Sequence, residues 1–280
     1  MMAGSLYLSL PLPLFTKGDQ KKSKVVLIRD KNVHDANHQL NAGILASMFD
    51  RAILELTGEK DINSAWSGLV SPDDIVGVKT NVWKYLPTPA SLEAIIQERL
   101  QQVGVKESKI SIKDRGILKD KVFKSSTALI NVRPLRTHHW SGLGTLLKNY
   151  VMFTPSPSSY HPDSCADLAK LWKLPEVTGK TRLNVLVMLT PLFHGIGPHH
   201  YNREYTWEYN GILVGFDPVA VDTIGASIIK EKRKQYFGEE RPINPPPKHI
   251  YLADTRHHLG TADPSKIELV KLGWEEGIFI

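Results

Sequence analysis

Leu183-Asn184-Val185-Leu186-Val187-Met188-Leu189 is the stretch that decides the fold. It is apolar at every position except Asn184. A run so continuously apolar, without the polar alternation of a half-exposed strand, reads as a central strand covered on both faces, as in a parallel sheet. Upstream of it, β-branched and apolar runs at residues 24–29, 75–79, 109–113 and 128–132 read as further strands. Downstream, residues 211–216 read as a strand, and residues 250–253 and 267–270 as shorter ones.

Helices fill the gaps. Between residues 41 and 56, Ile44, Leu45, Met48, Ala52, Ile53 and Leu56 recur at helical spacing, and Gly58 is a natural stop. Residues 90–103 read as a second helix, with Thr88 as N-cap, Pro89 at its first position and Gly104 as C-cap. A third helix, opened by Asp217-Pro218, runs to about Lys234. Strands alternating with helices predict an α/β fold with a mostly parallel central sheet and helices on both faces.

With 280 residues, 41% of them hydrophobic, the chain can bury a large core. Residues 24–280 are expected to form one α/β domain, with length enough for two lobes, and residues 1–23 an N-terminal arm or the remnant of an export leader. The apolar stretch at residues 3–15 lacks the basic residues that open a signal peptide. If it is a leader remnant the protein is exported to an extracytoplasmic space; otherwise it is cytoplasmic.

Lys and Arg total 35 against 29 Asp and Glu, giving +6. The densest basic runs, residues 17–24 and 230–234, accompany no nucleic-acid motif, so they read as solvated surface and no nucleic-acid partner is expected. One cysteine, Cys165, excludes an intrachain disulfide and an iron–sulfur cluster held by this chain alone. A metal ion would therefore take His, Asp or Glu ligands. No run reaches the roughly 18 apolar residues of a membrane span, so no stable membrane insertion is expected.

Parallel sheets bind ligands beyond the carboxyl ends of their strands, and four polar sets fall there. Lys79-Thr80-Asn81 follows a strand, where the lysine can hold an anion and Asn81 orient it, or both can serve a solvated turn. In Arg136-Thr137-His138-His139-Trp140-Ser141-Gly142-Leu143-Gly144-Thr145-Leu146-Leu147-Lys148-Asn149, residues 133–140 read as a crossing loop. Residues 142–151 then read as a short helix whose N–H groups can receive an anion. His138 and His139 point in opposite directions if extended, so one of them enters a site. Lys148 and His161 follow.

The turn Gly195-Ile196-Gly197-Pro198-His199-His200, preceded by His194, offers acid/base or ligating imidazoles, or exposed loop histidines. In Asp217-Pro218-Val219-Ala220-Val221-Asp222, capping explains Asp217, whereas Asp222 needs a partner if buried. No Rossmann, P-loop, nucleophile-elbow or zincin motif is present.

Gly77-Val78-Lys79-Thr80-Asn81, Ala128-Leu129-Ile130-Asn131-Val132, Thr137-His138 with Leu147-Lys148-Asn149, and the Asp217 to Asp222 run together resemble a bacterial and archaeal family, domain of unknown function 362. Its members are often exported with a twin-arginine leader, and some carry ferredoxin-like cysteines that this chain lacks. More distantly, His138, Gly142 with Gly144, Lys148 and His161 are similar in order to residues of the nickel-pincer lactate racemase family. That resemblance implies His138 as acid/base, Lys148 as attachment point of a nickel-pincer-type cofactor and His161 as metal ligand. The spacing from lysine to the last histidine departs from that family's.

The leading reading is an enzyme acting on a small anionic, carboxylate-type molecule. Lys79, Asn81, Lys148, Asn149 and Asp222 form its anion or substrate site, His138 or His139 moves a proton, and His161 holds a metal. Lys79, Asn81, one of the histidines, Lys148 and His161 should then line one cleft. The competing reading is a non-catalytic, exported binding or accessory protein of a redox or metal system.

Overall fold

The computed structural model describes residues 22–195, 197 and 200–280. The apolar stretch at residues 3–15, and Ile196, Pro198 and His199 of the glycine turn, lie outside the described residues.

The chain runs β1 (Ser23–Arg29), α1 (Ala42–Thr57), α2 (Ile62–Leu69), β2 (Val76–Lys79), α3 (Ala90–Gln102), β3 (Ile110–Lys113), α4 (Lys121–Ser125) and β4 (Ala128–His138). It continues through β5 (Gly142–Gly144), α5 (Leu146–Asn149), the four-residue turn α6 (Pro162–Cys165), β6 (Thr181–Leu192), β7 (Gly211–Gly215), α7 (Pro218–Phe237), α8 (Lys248–Thr255) and β8 (Ile267–Gly273). The sheet has the order β3-β2-β4-β6-β7-β1-β8, with β5 pairing back onto β4. Along that path β7 is the antiparallel strand, and its neighbours β6 and β1 both pair with it so. The other pairs along that path are parallel, as the apolar run in β6 predicts.

Each face of the sheet buries its own core. Leu45, Met48 and Phe49 of α1, Trp66 of α2 and Ile96 of α3 pack with Val26, Val78, Ile130, Val185 and Val214 on one face. On the other, Leu129, Leu135, Leu186 and Leu213 meet Leu146 and Leu147 of α5, Ile224 and Ile228 of α7, and Ile250 and Ala253 of α8. The caps of α1 and α7 follow local chemistry. Asn41 accepts from the Ile44 N–H, Gly58 closes α1 in the left-handed conformation, and Asp217 accepts from the N–H groups of Val219 and Ala220.

Four expectations are corrected. Residues 250–253 belong to helix α8, because so short an apolar run does not separate a period of 2 from one of 3.6. Thr88 does not cap α3; its hydroxyl accepts from the Asn81 N–H at 3.0 Å, and Pro89 stands at the cap position. Residues 133–138 are not a loop: β4 runs on to His138, and the proline is tolerated because the register against β6 shifts between Pro134 and Arg136. Gly142–Gly144 is a strand antiparallel to β4 rather than the start of a helix. There Gly142 has φ +71°, and a Cβ would sit 2.1 Å from the Pro245 carbonyl oxygen, so only glycine fits that corner.

Candidate functional site

The parallel strands β2 and β3 end side by side, Lys79 opposite Lys113, and the next residue after β3 is Asp114. Lys79 is fully buried, and all three of its ammonium protons are taken: by Asp114 Oδ1 at 2.6 Å, the Thr80 carbonyl at 2.7 Å and Asn149 Oδ1 at 3.3 Å. Burial pulls Lys79 down to about 8 against the opposing pull of Asp114. Burial in turn pushes the Asp114 carboxyl up, but Lys79 outweighs it and holds the group below its ordinary value.

Asn149 ties this pair to the sheet. Its amide donates to the Lys79 carbonyl at 3.0 Å and to Asn131 Oδ1 at 2.8 Å, and Asn131 donates onward to Asn184 Oδ1 at 3.2 Å. Asn184 is thus the sheet-spanning polar residue within the otherwise apolar β6 run. Asp222 is buried on α7 and accepts from Thr145 Oγ1 at 2.6 Å and from the N–H groups of Leu146 and Leu147 at 3.0 and 2.9 Å. It caps α5 from outside the helix, and burial pushes its carboxyl up to about 7. Lys79, Asn149 and Asp222 are therefore committed to protein partners. Asn81 serves its own turn, accepting from the Trp83 N–H at 3.4 Å.

Beyond this saturated layer the balance changes. Arg133 and Arg136 are three residues apart, which on a regular strand would send them to opposite faces. The irregularity after Pro134 lets both side chains cross Gly144, where a Cβ would lie 3.1 Å from Arg133 Nη2 and 3.6 Å from Arg136 Cγ. Arg136 is 4% exposed, and its Nε and Nη1 have no hydrogen-bond partner among the described residues; its guanidinium lies 4.4 Å from the Trp83 ring. Arg133 Nε is likewise unpartnered, and its one side-chain hydrogen bond goes to Asn149 at 3.4 Å. Burial lowers Arg133 to about 10 and, with repulsion from Arg133, takes Arg136 well below its ordinary value.

Lys148 of α5 is 3% exposed and donates to the Cys165 thiol at 3.5 Å. Burial and the neighbouring arginines bring it down to about 8, against the opposing pull of Cys165. The sulfur is set by a left-handed turn in which Asp163, Ser164 and Cys165 have φ of 53°, 56° and 62°, a conformation that costs energy in L-residues and collects at functional sites.

His138 shares the Arg136 face of β4. Its Nδ1 accepts from the Trp140 N–H at 3.2 Å, which puts the proton of the neutral ring on Nε2. Burial, Lys148 and the two arginines push its pKa far down. His139, Trp140 and His161 stack outward from it, with centroids 4.0 Å and 3.7 Å apart, and burial with Lys148 lowers His161 to about 4. The structure brings His138, His139, Lys148 and His161 near one another, with the His138 and His139 rings stacked at 4.8 Å rather than pointing apart, and Asn81 serves its own turn.

Sequence reasoning missed Arg133, Arg136, Asp114, Cys165 and His249. His249 of α8 is fully buried with neither ring nitrogen hydrogen-bonded, and burial with Lys148 and Arg133 lowers it to about 3. A signal for the arginines was present: the alternation Asn131, Arg133 and then Arg136, His138 continues a buried strand past its proline. Of the other polar set, His194 Nδ1 accepts from Arg233 at 2.8 Å, and both side a cleft of about 550 Å³ that Thr137 and Gly142 also line. Among the described residues no group of three or more His, Cys, Asp or Glu side chains is placed to hold a metal ion, and no helix is long and apolar enough to cross a membrane.

Residues 88–227, half of the chain, match the family described as Domain of unknown function (DUF362), and the chain belongs to it. The matched span contains β4, β5, α5, Cys165 and Asp222 and leaves Lys79 and His249 outside. No curated protein and no solved structure matches the chain.

Proposed function

We propose that this DUF362 protein binds a small carboxylate-bearing anion between β4, α5 and α8 and transfers a proton on it. The observation that supports this reading is the pair of buried guanidinium groups, Arg133 and Arg136, in which Arg133 Nε and Arg136 Nε and Nη1 have no hydrogen-bond partner among the described residues. An uncompensated buried charge costs several kcal/mol, and charge-assisted hydrogen bonds to a bound anion remove that cost. Arginine is suited to the task because it stays charged despite burial and its planar fork matches a carboxylate.

The two neutral imidazoles His138 and His249 divide the chemistry. His138, held with its proton on Nε2, is a hydrogen-bond donor toward a ligand oxygen as charge builds there. His249, neutral and with both nitrogens unpartnered, can offer an unprotonated nitrogen as base. Lys148 adds a third cation within electrostatic reach of both imidazoles.

Isothermal titration with acetate, lactate and malonate tests binding. Nuclear magnetic resonance of solvent-deuterium incorporation at the carbon next to the carboxylate tests proton transfer. Binding by the wild type, weakened in Arg136→Gln, is expected. If none of these carboxylates binds, the proposal fails; binding without deuterium exchange leaves a binding protein and removes the enzyme.

A further inference from the structure

The buried charges do not sum to zero, and the remainder specifies the ligand. Lys79 and Asp114 lie 2.6 Å apart and cancel. The cations left are Arg133, Arg136 and Lys148, none of which forms an ion pair among the described residues. Against them stands at most one negative charge, that of Asp222, which burial pushes up to about 7 and whose oxygens are taken by the Thr145 hydroxyl and two backbone N–H groups. Among the described residues, Asp114 and Asp222 are the carboxylates whose charge acts on Arg133, and Asp114 is the one that acts on Arg136. The histidines facing the cluster, His138 and His249, are held neutral. Three positive groups against at most one negative leave at least two positive charges inside the protein.

We infer that the anion bound by Arg133, Arg136 and Lys148 carries two negative charges. The inference rests on the anion-site reading above and narrows it. A monoanion would leave one buried cation without a counter-charge, whereas a dianion closes the count and lets each unpartnered guanidinium donate to a charged oxygen. The two charges can reside on two carboxylates or on one tetrahedral oxyanion. Both present the same donors with the same total charge.

The test is isothermal titration at pH 7 and constant ionic strength with three probes: acetate as monoanion, malonate as dicarboxylate and sulfate as a single dianionic group. Malonate or sulfate is expected to bind more than about tenfold tighter than acetate, a difference of about 1.4 kcal/mol. Which of the two binds shows whether the charges lie on two groups or one. In Arg136→Gln, and separately in Arg133→Gln should the first variant fold poorly, the preference over acetate is expected to fall toward unity, because one buried charge is gone. Acetate binding as tightly as both dianions would overturn the dianion and leave the anion site standing. Absence of binding by all three would overturn the site itself.

Discussion

Replacing Arg136 by methionine should stabilise the ligand-free protein, the opposite of what a core substitution ordinarily does. The guanidinium is 4% exposed, has Nε and Nη1 unpartnered and is repelled by Arg133. Exchanging buried charged groups for apolar ones of similar volume is neutral or stabilising by about 1–4 kcal/mol. The contact with Trp83, at 4.4 Å from the ring centroid, offsets that by roughly 0.5–2 kcal/mol. The thioether keeps part of the same contact, since sulfur also packs well against aromatic rings. The net expectation is a gain of about 0–3 kcal/mol, or a midpoint raised by up to about 10 °C for a domain this large. Urea unfolding of both proteins in an anion-free buffer measures it. The same variant should lose the anion-dependent stabilisation of the wild type, which reaches about 2.7 kcal/mol at a hundredfold excess of ligand over Kd. A loss of more than about 1 kcal/mol without ligand would refute the reasoning, because it would mean that the charge is already compensated within the protein.

Two further outcomes follow from the same geometry. Asp114→Asn leaves the Lys79 ammonium buried without its counter-charge and should cost about 3–5 kcal/mol in urea unfolding; a loss below about 1 kcal/mol would show that Thr80 and Asn149 suffice to hold it. His249 has a folded pKa near 3 against its ordinary 6.5, so as pH falls through that window the unfolded chain takes the proton first and stability is lost. Asp222, raised from 3.8 to about 7, acts with the opposite sign over an overlapping window, but it is common to wild type and variant. Denaturant melts between pH 6.5 and 3 should therefore show a shallower acid loss for His249→Asn than for the wild type, and equal slopes would place His249 in contact with solvent.

The sheet was legible in the sequence because its strands are continuous apolar runs: β1, β2, β3 and β7 start and stop within one residue of where those runs do, and β6 overruns its run by two residues at the start and three at the end. The grouping of His138, Lys148 and His161 was legible because β4, β5 and α5 are short and adjacent in the chain, so local spacing carries into space. Arg133 and Arg136 were not, since a proline normally ends a strand and the register shift that spares this one is set by β6, fifty residues on. His249 comes from α8, a hundred residues beyond Lys148, and only tertiary packing brings it to the cluster. The roles of Lys79 and Asn149 were open to a similar error. A polar residue at a strand end looks alike whether its donors face a ligand or, as here, Asp114 and Asn131.

That contrast within one strand is the strongest reason to treat the arginines as functional. β4 carries Asn131, whose amide is fully engaged by Leu146, Asn149 and Asn184, and a few residues later Arg136, whose donors are not. A fold able to saturate an asparagine ladder across its sheet had the means to pair or omit a guanidinium, and an apolar side chain on β4 would have been more stable. Natural sequences break local rules where function requires it. Here the break is a set of cations, Arg133, Arg136 and Lys148, enclosed next to two neutral imidazoles and walled by Trp140. That concentration of buried cations is what the proposed ligand of opposite charge would offset.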